Sequence, residues 1–229
     1  MPIFSLRKSV LLPLYLVASS AIAVSMADLS NKDATTGLKT ALEKGANAAV
    51  SQLGVQDGFL GNDKVKIQLP PILEKARPLV KMAGRGQQLD ELVVSMNRAA
   101  EEAVPLAKPL LLSAVKSMTV TDAKQILTGG DTSVTQFFRD KTSTQLAEKF
   151  MPIVKKVTDR SALSTQYNAT MGQVAKLGIA GQQVTVEDYV TQRALDGLFT
   201  MIAEEEKAIR QDPVGTGSKI LGKVFGAMR

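Results

Sequence analysis

"VEDYVTQRALDGLFTMIAEEEKAI", residues 186–209, decides how this chain folds. At ~100° per residue, Leu195, Leu198, Phe199, Met201 and Ile202 cover more than half the circumference of a helix. A surface helix needs only one apolar stripe, so this one is predicted to be central, with Phe199 nearly fully buried. Thr185 and Asp188 in "TVED" form a capping box at its start, and Asp212–Pro213 stops it. Arg193, Asp196 and Thr200 fall on one narrow side. Arg193 and Asp196 are three apart and can pair, either as a salt bridge at the core edge or as a polar patch lining a cavity. The acids Glu204, Glu205 and Glu206 point in different directions and read as a solvated face rather than a chelating cluster.

Outward from that helix, the same three-and-four spacing recurs along most of the chain. Residues 34–53 place Leu38, Ala41, Leu42, Ala46, Ala49, Val50 and Leu53 on one side. Pro70–Pro71 opens a helix to about Ala83, with Pro78 as a kink or split. A long helix from Gln87 carries Leu89, Leu92, Val93, Met96, Ala100, Ala103 and Val104 and is interrupted by Pro105 and Pro109. "TVTD" at 119–122 is a second capping box. Further helices are read over 132–157, from "SALSTQYNA" to Gly178, and in "SKILGKVFG" near the C-terminus. Two short stretches alternate instead, 65–69 and 182–186. Each alone would leave backbone groups unpaired, so they are expected to pair as one short two-stranded β ribbon. The expected fold is a mainly α, single-domain irregular helical bundle over residues 28–229.

"ILTGGDTSVTQFFRDKT", 126–142, has the look of a phosphate-binding loop, but its chemistry does not fit one. A Walker-type loop needs a preceding strand and a Lys after its glycines. Here a helical segment precedes and Asp131, which would repel phosphate, follows. A helix–helix turn accounts for every residue: Gly129 or Gly130 left-handed, Asp131 or Thr132 capping the next helix, and Phe137 and Phe138 inward.

The N-terminus reads as a secretory signal peptide, residues 1–27. Arg7 and Lys8 precede the apolar run "VLLPLYLVASSAIAV", and Ser25 and Ala27 are placed for cleavage near Ala27. Its loss removes two bases and no acid, leaving 26 basic and 22 acidic residues, net +4. That mild charge, with 4% aromatic residues, speaks against nucleic-acid binding. At most weak association with an anionic membrane surface is expected. The chain has no Cys, so it forms no disulfide and offers no lipid attachment site. It has no His, which rules out Ser–His, Cys–His and His-ligated metal chemistry. The expected location is the periplasm, as an exported protein that is not a lipoprotein. No cofactor, metal ligand or catalytic residue is expected.

Several segments together resemble one family. "LVVSMNRAAEEAVPLAKPLL", "DAKQILTGG", "TQFFRDKTSTQLAEKFMPIVKKVTD", "QYNA" and "YVTQRALDGLFTMIAEEEKAIRQDP" are similar to the secreted bacterial proteins grouped as domain of unknown function 4197. The resemblance implies a mostly helical envelope protein of a Gram-negative bacterium and carries no activity. This chain has Phe137 and Gly130 where the family's pattern has Tyr and Pro.

Polar groups on otherwise apolar helices are the candidate ligand-binding residues: Arg98 and Glu101 (with Asn97), Gln136 and Arg139, Tyr167 and Asn168, and Arg193. Converging, the arginines could hold an anionic group and the aromatics an apolar tail. The expected function is non-enzymatic binding of an amphipathic or anionic small molecule or of an envelope protein partner. One alternative is a hydrolase or lyase using carboxylates, Tyr or Lys. The other is a purely structural or interaction protein.

Overall fold

The computed structural model describes residues 31–176 and 185–212. Its helices are α1 (Asn31–Leu53), α2 (Pro71–Met82), α3 (Gly86–Ala103), α4 (Ala107–Ser117), α5 (Val120–Thr128), α6 (Ser133–Thr158), α7 (Ala162–Lys176) and α8 (Val186–Gln211). They build a mainly α irregular bundle of one domain. Pro105 turns the chain through a 3-10 segment, Val104–Leu106, between α3 and α4. Pro78 and Pro152 lie inside continuous helices, so neither splits its helix.

The core forms around α8, which packs on α6, α1 and α3. Val190, Ala194, Leu198, Phe199 and Ile202 are all buried, and Phe199 is 1% exposed. The wide apolar arc read from 186–209 therefore has helices on several sides to cover it. Both predicted capping boxes form, Thr119 with Asp122 and Thr185 with Asp188. Phe137 and Phe138 point inward and meet edge to face at 5.6 Å.

Gly197 sits where the loop after α1 crosses α8. A Cβ there would lie 2.6 Å from the Phe59 ring, so only glycine lets that buried ring approach the helix. Phe59 thus anchors the segment 54–70 onto the bundle.

The expected β ribbon is not present among the described residues. Segment 65–69 does alternate: Val65, Ile67 and Leu69 are buried while Gln68 is exposed. Its backbone partner, however, is a side chain. Asn97 on α3 accepts from the Ile67 N–H at 2.8 Å and donates to the Ile67 carbonyl at 2.9 Å, standing in for a neighbouring strand. Of the other half of the expected ribbon, 182–184 lies outside the described residues, and Thr185 and Val186 begin α8.

The turn at 129–132 also differs from the reading. Gly129 is extended, with φ −78° and ψ 168°, and the left-handed glycine among the described residues is Gly84, after α2. Thr132 precedes α6 without making a side-chain cap. The group that caps α6 comes from α8, as described below.

The burial of Phe199 makes a direct prediction. Phe199→Ala should lower unfolding free energy by about 3–5 kcal/mol, a cavity-forming loss. Chemical denaturation of the two proteins checks it, and an unchanged midpoint would contradict the central place of α8.

Candidate functional site

Three glutamates on core helices are buried, and each is satisfied by remote groups. Glu206 on α8 is 4% exposed. Its carboxylate accepts from the N–H groups of Val134 and Thr135, both at 3.0 Å, and from the Thr135 hydroxyl at 2.9 Å. These are first-turn amides of α6, which have no partner inside their own helix. A carboxylate there also meets the positive end of the α6 dipole. Arg210, one turn on, pairs with Glu206 at 2.9 Å and donates to the Ser133 hydroxyl at 2.8 Å. Ser133 in turn donates to the Ile126 carbonyl at 2.8 Å. The solvated-face reading of 204–206 is therefore wrong for Glu206. It fits the neighbours: Glu204 pairs with Lys64, and Glu205 accepts from Gln52 at 2.8 Å.

Glu101 on α3 does the same for the loop after α1. It accepts from the N–H groups of Phe59 at 3.0 Å and Leu60 at 3.1 Å, and binds Arg98 at 2.6 Å. Arg98 also holds Asp57 at 2.7 Å, and Asp57 is left-handed with φ 65°. Glu187, in the first turn of α8, accepts from the Thr158 hydroxyl at 3.0 Å and the Asn168 amide at 2.8 Å. The Asn168 carbonyl oxygen accepts from the Val186 N–H at 3.0 Å. Asn168 thus fastens α7 to the start of α8.

The other candidate residues are placed as follows. Arg139 and Arg193 meet on Asp196, at 3.7 and 3.4 Å. Arg139 also lies 4.6 Å over the Phe199 ring and Arg193 5.4 Å over the Tyr189 ring. Gln136 donates to Asp140 at 2.6 Å on the surface. Arg98, with its own carboxylates Asp57 and Glu101, makes no bond to that pair. Two of the three arginines thus share a carboxylate, and the third is occupied elsewhere.

Arg98 lines an open cleft of about 520 Å³ and Gln136 one of about 430 Å³. Tyr167 lines an open groove between α2 and α7, about 370 Å³ in volume. Leu73, Ala76, Val80 and Leu163 form apolar walls beside it. Arg85 and Gln166 stand at the same groove, and the Arg85 guanidinium donates to Gln166 at 2.9 Å. Burial pushes the Tyr167 phenol above its ordinary value, so it stays a neutral hydrogen-bond donor at neutral pH. By contrast, the small apolar cavity beside Glu206 is about 20 Å³, the size of a single water, and too small for a ligand. Among the described residues no group of three or more acids is placed to hold a metal ion.

The profile described as "Protein of unknown function (DUF4197)" matches residues 28–226. The chain belongs to the DUF4197 family. The match takes in every helix described above, and it brings no activity with it. No curated protein and no solved structure matches the chain.

Local sequence could not reveal Glu206 or Glu187, because their partners lie 72 and 29 residues away. The groove residues were missed for another reason. Periodicity places Leu73, Ala76 and Val80 on one helix face but does not show that α7 stands off from it. One signal was present for Glu206: the start of α6 has no capping box of its own, so its amides needed an acceptor from elsewhere.

Proposed function

We propose that this protein is exported to the periplasm and there binds, without turnover, an amphipathic molecule in the α2–α7 groove. One observation carries the binding reading: an open apolar groove that has a guanidinium and an amide at its side. Leu73, Ala76, Leu163 and the Tyr167 ring would hold an acyl or similarly apolar chain. Arg85 would meet an anionic head and the Tyr167 hydroxyl a second polar atom. A carboxylate-based hydrolase finds less support. Glu101, Glu187 and Glu206 are spent on backbone and side-chain hydrogen bonds, and none of them lines the groove. The leader at 1–27 supports the location, and N-terminal sequencing of the periplasmic fraction should begin at Asp28. A retained N-terminus in the membrane fraction would refute it.

A naturally fluorescent polyene fatty acid tests the binding. It should bind saturably. Ala76→Trp, which fills the groove, should weaken binding at least about tenfold, the loss of one or two methylene-scale contacts plus steric exclusion. Arg85→Gln should weaken it less and remove most of the salt dependence. Non-saturable uptake, or equal affinity in the Ala76→Trp protein, would overturn the proposal.

A further inference from the structure

We propose that α2 is a membrane-docking helix that lies on an anionic phospholipid surface. This goes beyond the groove reading: Ile72 and Leu79 also line the groove, whereas Met82, Lys75 and Lys81 do not. α2 contains no buried residue. Ile72, Leu79 and Met82 are 52%, 70% and 85% exposed, three large apolar side chains on one short helix. The remaining exposed large apolar residues are scattered over other elements: Val55, Val94, Leu106 and Val120. Single exposed apolar residues are ordinary, whereas a contiguous set marks a contact surface.

The arrangement of that set is specific. At ~100° per residue, Met82, Lys75, Leu79 and Ile72 lie within an arc of about 80°. Leu73 and Val80, which pack against the core, lie to one side of it. The helix therefore has two apolar faces, one covered by the bundle and one bare.

Charge indicates what covers the bare face. Arg77 is neutralised by Glu74 at 2.9 Å and Asp90 at 3.3 Å. Lys75, within the bare arc, makes no ion pair among the described residues, and neither do Lys81, about 100° from the arc's nearer edge, and Arg85, past the end of α2 at the groove. The local acids are thus used up on Arg77, and the bare face carries uncompensated positive charge. An amphipathic helix with large apolar residues and free lysines matches an anionic headgroup layer, the apolar groups entering the acyl boundary while the lysine stems reach back to phosphate. A protein partner would be expected to meet this apolar face with a matching groove, whereas a bilayer needs only the moment and the charge.

The geometry also fixes how the helix would sit. Its 12 residues span ~18 Å, short of the ~30 Å hydrocarbon core. Among the described residues no single helix is long and apolar enough to cross a membrane. α2 would lie in the interfacial plane, with the α2–α7 groove opening beside the lipid.

Co-sedimentation with phosphatidylcholine vesicles, with and without phosphatidylglycerol, tests this on the chain from Asp28 onward, which holds every described helix. Binding should require phosphatidylglycerol and weaken as salt rises. Met82→Glu should lower the partition coefficient about tenfold or more, by removing one inserted apolar side chain. Lys75→Glu with Lys81→Glu should lower it about fivefold per residue. Leu106→Glu, on an exposed site away from α2, should leave it unchanged. None of the substituted residues lines the groove, so fatty-acid binding should persist in all three variants. Loss of that binding in the unsubstituted protein would refute the groove while leaving the vesicle result intact. Vesicle binding that is absent, independent of phosphatidylglycerol or unmoved by Met82→Glu would overturn the proposal. So would self-association in sedimentation velocity that Met82→Glu abolishes, which would make the face an interface between two copies.

Discussion

The Glu206 carboxylate holds the first turn of α6 in place, and much of the bundle is arranged around that contact. Burying a carboxylate costs several kcal/mol unless hydrogen bonds and an opposite charge offset it. Here two backbone N–H groups, one hydroxyl, the α6 dipole and Arg210 all do so. Arg210 and Ser133 extend the contact to the end of α5, so one side chain on α8 fixes the ends of two other helices. Glu101 repeats the device on the loop after α1, and Glu187 repeats it where α6, α7 and α8 meet. Glu206 and Glu101 thus satisfy backbone N–H groups that another segment cannot satisfy for itself, while Glu187 links side chains of α6 and α7.

This pattern separates two regions of the molecule. Core helices and the loop 54–70 are tied by buried polar contacts, including the Asn97 clasp on Ile67. α2 has no such tie: it packs beside α3 with Leu73 and Val80 against the core, and its hydrogen-bonded side chains are surface ones. This lightly held helix is also the one with a bare apolar face and an adjoining apolar groove. The candidate residues Glu101 and Asn168, by contrast, spend their polar atoms on contacts that hold the bundle together.

The difference between what was and was not legible in the sequence follows from range. The helices, their capping boxes, the burial of Phe199 and the Arg193–Asp196 pair depend on neighbours within one or two turns, and periodicity reports them. Alternation at 65–69 truthfully reported burial, but it cannot name the backbone's partner, and an asparagine amide took the place of a strand. The left-handed turn expected at Gly129 or Gly130 failed because the chain leaves α5 extended and its neighbour is capped from afar. In "EEE" only the Arg210 partner of Glu206 lies within four residues, and such a pair is ordinary on a solvated face; the amides of Val134 and Thr135 that bury it lie 72 and 71 residues away. Of the candidate site, Tyr167 was found for its phenol and aromatic ring. The apolar walls were not, because a groove is a property of two helices and the gap between them.

Amide hydrogen exchange on Val134 and Thr135 tests the central contact most directly. First-turn amides of a helix ordinarily exchange readily, having no intrahelical partner. If Glu206 caps α6, both should be protected nearly as strongly as the amides around Phe199 in the α8 core. In Glu206→Gln, where an amide nitrogen replaces one accepting oxygen, at least one of them should lose protection while the α8 amides keep theirs. Fast exchange of both in the unsubstituted protein, or protection unchanged by the substitution, would contradict the account.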